Sequence, residues 1–232
     1  MNVLLFGATG MVGQGVLREC LLDPGLPLVQ TVGRSATGVQ HPKLREIVHA
    51  DLWNYDAIGG KLSGFDACFF CLGVSSAGMN EADYERVTFG ITMAAAQLLC
   101  RLNPKMTFIY VSGAGTDSSE HGRTMWARVK GKTENALLRL PFAAAFMFRP
   151  GIIEPVHGVT SKTPGYRFFY TIARPWLPLL RRAIPKYILT TQEIGLAMLS
   201  VTRQGYPKRV LETRDIRSIV GHNSHAASPG AQ

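Results

Sequence analysis

Short runs of consecutive apolar residues alternate along the chain with longer stretches whose apolar residues recur every three or four positions. The runs Val3-Leu4-Leu5-Phe6, Leu28–Val32, Arg45–His49, Ala67–Leu72, Thr107–Val111, Ala144–Phe148 and Arg209–Glu212 predict strands. The uniformly apolar ones have the pattern of strands buried on both faces of a parallel sheet. Met11–Leu22, Ala82–Leu102, Arg123–Arg139 and Thr191–Val201 carry helical spacing, and a shorter helix is expected near Tyr55–Leu62. Asp23-Pro24-Gly25, Asn103-Pro104 and Pro141 stop the helices before them. This alternation predicts an α/β fold, a doubly wound parallel sheet with helices on both faces. Past Gly151 the pattern loosens. Tyr166–Leu189 is aromatic, basic and interrupted by proline; Thr213 is placed to cap a last helical turn; and the small, polar Gly221–Gln232 is expected to be disordered.

The turn after the first run is Gly7-Ala8-Thr9-Gly10-Met11-Val12-Gly13. A strand, a glycine turn and a helix start within fifteen residues have the form of a Rossmann-type βα unit that binds a dinucleotide. Gly7 permits the sharp turn, Gly10 lets the backbone approach a pyrophosphate, and Gly13 lets the helix pack close to the strand. Thr9, Met11 and Val12 would surround the phosphates at the helix N-terminus, where free N–H groups favour anions. The expected division is a Rossmann core at 1–155, a small C-terminal substrate or lid region at 156–220 folded onto the same domain, and a tail at 221–232.

Charge adds a second feature. The formal net charge is +9, and Ser161–Arg217 holds eleven lysines and arginines against three acids. A solvated basic face is the simplest use of that excess; an anionic substrate, partner or membrane surface is the alternative. No nucleic-acid partner is expected. A lid over a cleft, with Phe168, Phe169, Trp176 and Leu180 turned inward, is preferred to peripheral membrane contact for Tyr166–Leu189, which carries five basic residues and three prolines. No signal peptide is read at the N-terminus, and Cys20, Cys68, Cys71 and Cys100 read as reduced, so a cytoplasmic location is expected. Cys68 and Cys71, three apart on a strand, should face opposite ways.

Ligands of an open parallel sheet bind beyond the C-terminal ends of its strands. Arg34 follows the second strand, where NAD sites usually place an acid; a cation there suits a 2′-phosphate, so NADP is expected over NAD. Asp51 and Leu52 follow the third strand, placing a carboxylate for the adenine amino group. Cys71, Leu72 and Gly73 end the fourth and would flank the adenosine ribose. Pro150 and Gly151 end the sixth.

The ordered set Gly7-x-x-Gly10-x-x-Gly13, Gly33-Arg34, Asp51-Leu52, Leu72-Gly73, Tyr110-Val111-Ser112 and Phe148-Arg149-Pro150-Gly151 resembles the short-chain dehydrogenase/reductase superfamily. It is most similar to the atypical, NAD-dependent epimerase/dehydratase-like members. Val129-Lys130-Gly131-Lys132-Thr133-Glu134 is similar to a segment of the Tat-interacting oxidoreductase-like group. The resemblance implies hydride transfer, or epimerase or dehydratase chemistry through transient oxidation, on a small molecule. It also implies a homodimer through Ala82–Leu102 and Arg123–Arg139.

The superfamily's chemistry implies a Tyr-x-x-x-Lys pair and a serine. Ser112 and Lys130 match the serine and the lysine, and Lys130 would also hold the nicotinamide ribose. Trp126 stands where the tyrosine is expected, and no tyrosine of the chain has a lysine four residues later. An indole N–H only donates and does not titrate near neutrality, so Trp126 is no proton donor for carbonyl reduction. Thr88 stands where an Asn often assists proton relay. Three readings follow: an enzyme using another acid or base, Lys130 first and Asp117, His121 or His157 after it; an NADP-binding regulatory module resembling NmrA-like proteins; or an interaction scaffold.

Overall fold

The computed structural model describes residues 1–159 and 187–226, with side chains through Gly221. Asn2–Phe6 (β1), Leu28–Gly33 (β2), Leu44–Val48 (β3), Ala67–Phe70 (β4), Thr107–Val111 (β5), Ala144–Arg149 (β6) and Val210–Glu212 (β9) form one sheet. Its order is β3-β2-β1-β4-β5-β6-β9, with every pairing parallel. A separate pair, β7 (Ile152–Glu154) and β8 (Ile188–Thr190), runs parallel beside it. The helices are α1 (Met11–Leu22), α2 (Glu81–Glu85), α3 (Ile91–Leu102), α4 (Met125–Arg139), α5 (Thr191–Gln204) and α6 (Thr213–Ala226).

Alternating side chains of the buried strands build two cores. Val3, Leu5, Phe69, Ile109, Phe146 and Phe148 pack with apolar residues of α1, α5 and α6. Leu4, Phe6, Phe70, Phe108, Tyr110 and Met147 pack with α3 and the segment 52–65 on the other face. Cys68 belongs to the second core and Cys71 packs against the first, on opposite faces as their spacing requires. All four cysteines are free. Helices α1 and α5 lie in close contact: a Cβ on Gly15 would stand 2.4 Å from the Thr191 Cβ, and one on Gly195 would stand 2.9 Å from the Glu19 Cγ.

The strand–helix alternation matches the expected architecture, and the pair β7–β8 and the following features depart from it. The helix expected over Ala82–Leu102 is divided by a π turn at Arg86–Gly90; Thr88 and Gly90, both weak helix formers, lie in it. The helix expected near Tyr55–Leu62 contracts to a 3-10 turn at Gly59–Lys61. Part of the segment assigned to a lid completes the core: β9 is the seventh strand and α5 covers α1. The expected terminal turn is the full helix α6, which takes in residues 221–226 of the expected tail because Ile216 and Ile219 anchor its apolar side. Most of Tyr166–Leu189, including Phe168, Phe169, Trp176 and Leu180, lies outside the described residues. No described helix is long and apolar enough to cross a membrane.

Candidate functional site

The strand order reverses between β1 and β4, and the loops leaving the C-terminal ends of β1, β2, β4, β5 and β6 surround a cleft of about 1290 Å³ there. Gly7, at φ +78°, turns the chain out of β1 where a Cβ would meet the Cys71 carbonyl carbon at 2.6 Å. A Cβ on Gly13 would lie 2.1 Å from the Gly7 oxygen, so α1 rests directly on the turn. Gly10 caps α1 with no side-chain bond, and the first turn carries no acid. The free N–H groups of that turn therefore open on the cleft, an arrangement that fits an anionic ligand.

The cleft gathers most of the residues singled out from the sequence: Gly7, Thr9, Gly10, Met11, Val12, Arg34, Leu52, Cys71, Leu72, Gly73, Ser112, Trp126, Lys130, Pro150 and Gly151. Gly13 lies behind the wall as a packing position. Asp51 itself does not line the cleft, while its neighbour Leu52 does. Asp51 Oδ1 accepts the backbone N–H groups of Trp53 (2.9 Å) and Asn54 (3.3 Å), because a short carboxylate readily closes its own turn. At the β2 end, Arg34 is exposed and joined by Ser35 and Thr37. One oxygen of the nearby Glu46 carboxylate, Oε2, accepts from the Thr31 hydroxyl and the Thr37 N–H.

At the other end, Ser112 Oγ donates to Glu134 Oε1 at 2.5 Å and also approaches the Phe148 carbonyl at 3.1 Å. Glu134 is wholly buried and holds Arg149 through both oxygens: Nη2–Oε2 is 2.5 Å and Nε–Oε1 is 3.0 Å. Lys130 Nζ donates to the Ser112 carbonyl. Burial pushes the Lys130 amine down to about 8, against the opposing pull of Glu134. Two phenols that the sequence did not single out, Tyr84 and Tyr187, also line the cleft.

Asp117, His121 and His157, the other candidate acids and bases, do not line it. Asp117 accepts from Ser119 Oγ and Gly122 N, and those bonds hold its carboxyl below the usual range. His157 Nε2 pairs with Gln192. Thr88 is buried with no partner for its hydroxyl and lies outside the cleft wall.

The depressed Lys130 value has a measurable consequence. An unfolded chain keeps this proton up to about 10.5, so between about pH 8 and that value the unfolded state binds more protons and stability rises with pH. Lys130→Met is expected to flatten that rise. Urea unfolding on both sides of the window checks it, and an equally steep rise in the variant would refute it.

No protein-family model matches the chain. Among curated proteins it is similar to FMP52-2, mitochondrial, of Scheffersomyces stipitis, with 30% identity over 155 residues that cover 66% of this chain and 66% of the relative. It is also similar to FMP52, mitochondrial, of Meyerozyma guilliermondii, with 28% identity over 68% of this chain and 69% of the relative. These names overturn the expected cytoplasmic location, since the relatives are designated mitochondrial. Among solved structures, the Bordetella bronchiseptica enzyme WbmF in complex with NAD+ superposes with a TM-score of 0.67 at 13% identity, covering 98% of this chain and 79% of that one. The YIR035C short-chain dehydrogenase/reductase of Saccharomyces cerevisiae gives 0.63 at 13% identity, covering 94% and 98%. The UDP-N-acetylglucosamine 4-epimerase of Methanobrevibacter ruminantium gives 0.66 at 14% identity, covering 91% and 75%.

Proposed function

From a chain that carries the Rossmann fold of the short-chain dehydrogenase/reductase superfamily, we propose an NADP-binding oxidoreductase-like protein acting on a small molecule. The observation that carries this reading is the single cleft running from the open N-terminus of α1 to the Ser112–Lys130 pair. The Gly7–Gly13 turn and α1 would hold the pyrophosphate, with Cys71, Leu72 and Gly73 along the ribose and Pro150 and Gly151 beside the nicotinamide. Arg34, Ser35 and Thr37 supply a cation and two hydroxyls for a 2′-phosphate. A nicotinamide bound here would supply or accept a hydride. Lys130 would carry the proton, because burial lowers its amine to about 8 and the Trp126 indole does not titrate.

Calorimetric titration is expected to show tighter binding of NADPH than NADH, a preference that Arg34→Ala abolishes. Equal affinities in the unaltered protein would refute the assignment. Trp126 at the tyrosine's place favours a second reading, binding without turnover. NADPH oxidation across a broad carbonyl panel separates the two: tight binding with no turnover selects the second.

A further inference from the structure

We propose that Glu134 is the positioning residue of this cleft: through its buried carboxylate it turns the hydroxyl proton of Ser112 inward, so that Ser112 meets a bound molecule only as a hydrogen-bond acceptor. The inference rests on the reading of the cleft given above for the identity of that molecule, and on the chain's own geometry for the rest. Ser112 has one hydroxyl proton. Its Oγ is 2.5 Å from Glu134 Oε1 and 3.1 Å from the Phe148 carbonyl oxygen. Both neighbours accept, so the proton points into the protein and lone pairs are left for the cleft.

The carboxylate is held against swinging away. Arg149 bonds both its oxygens, and Arg149 is in turn fixed by Ser118 Oγ at 2.6 Å and Glu212 Oε1 at 3.2 Å. Lys130 lies one helical turn before Glu134 on α4, and its amine grips the Ser112 carbonyl. Ser112 is thus clamped through side chain and main chain by two residues of one helix.

The chemistry of the floor follows. A ligand hydroxyl or amine N–H finds an acceptor in Ser112, whereas a carbonyl oxygen placed there meets lone pairs and must take its hydrogen bond from the Lys130 ammonium. The molecule this end of the cleft favours is therefore a hydrogen-bond donor, an alcohol before a ketone.

Glu134 also acts on Lys130 by charge. Other ionisable groups on elements packed around α4 are Glu81, Asp83, Tyr84 and Glu85 of α2, Arg86 of the π turn, Cys100 and Arg101 of α3, Tyr110 of β5 and Arg149 of β6. Glu81 is paired with Arg128, Glu85 with Lys132, and Arg149 with Glu134. Among them Glu134 is the group that raises the Lys130 value against burial.

Two measurements on the full chain without dinucleotide test the proposal. In proton NMR, the clamped serine hydroxyl is expected as a slowly exchanging resonance downfield of water, lost in Ser112→Ala and in Glu134→Gln. In competitive acetylation read by mass spectrometry, Lys130 is expected to titrate lower in Glu134→Gln; a one-unit fall from about 8 raises its reactivity at neutral pH about fivefold. If Glu134→Gln does not fold, E134Q/R149M removes the buried pair together and gives the same two readouts. A folded variant with an unchanged Lys130 titration, or a parent protein with no such hydroxyl resonance, overturns the proposal. NADPH is titrated separately, so failure to bind it would remove the dinucleotide reading and leave these results standing.

Discussion

Arg149→Leu is expected to lower the unfolding free energy by about 3–5 kcal/mol, the usual cost of stranding one member of a buried ion pair. The mechanism is local. Glu134 is wholly buried, and Arg149 is its cationic partner through both carboxylate oxygens. Without the guanidinium, a charged carboxylate would be left facing the Ser112 hydroxyl in a low-dielectric interior. Removing both charges should cost much less, because a buried pair replaced by apolar groups of similar volume is often neutral or stabilising. Urea unfolding of Arg149→Leu and of the double variant R149L/E134L tests this: a double variant no more stable than the single one would show that the lost contacts, not the stranded charge, set the cost.

Gly13→Ala is the second large effect. The added methyl would stand 2.1 Å from the Gly7 oxygen and 2.6 Å from its carbonyl carbon, both main-chain atoms with no rotamer to yield. Helix α1 must move off the turn, which disturbs the anion-facing N–H groups and the contact with α5 together. Overpacking of this kind costs about 3 kcal/mol, and NADPH affinity is expected to fall roughly a hundredfold, equivalent to about 2.7 kcal/mol. Calorimetry and thermal unfolding read the two effects. A folded variant with unchanged NADPH affinity would remove the turn from the binding site.

The features legible in the sequence are those fixed by neighbours along the chain. Apolar runs gave the six N-terminal strands, and α1 begins and ends where its glycine and Asp23-Pro24-Gly25 signals place it. The glycine turn and the residues after β2, β4 and β6 meet at the cleft because parallel topology brings strand ends together. At Asp51 the structure adds what the sequence did not show, a local Asx turn closed through one carboxylate oxygen. Strands β7 and β8 were too short to show a period. The Ser112–Glu134–Arg149 network was hidden for a different reason. Its partners are 15 to 36 positions apart, and Glu212 joins from 63 positions away. Nothing in the spacing of Glu134 on an amphipathic helix announces that it faces inward. The tyrosines Tyr84 and Tyr187 likewise reach the cleft only through tertiary packing.

The contact of α1 with α5 bears on how the chain comes to be folded at all. The helix that carries the glycine turn leaves the ribosome well before the helix that covers it, which follows β6 in the chain. Until Thr191 and Gly195 arrive against Gly15 and Glu19, the apolar face of α1 has no lid of its own. A nascent chain can assemble β1 through β6 early, yet one side of that sheet stays incomplete and sticky until α5 has been made. The half of the chain that carries the glycine turn is thus no independent folding unit: its closure waits on α5.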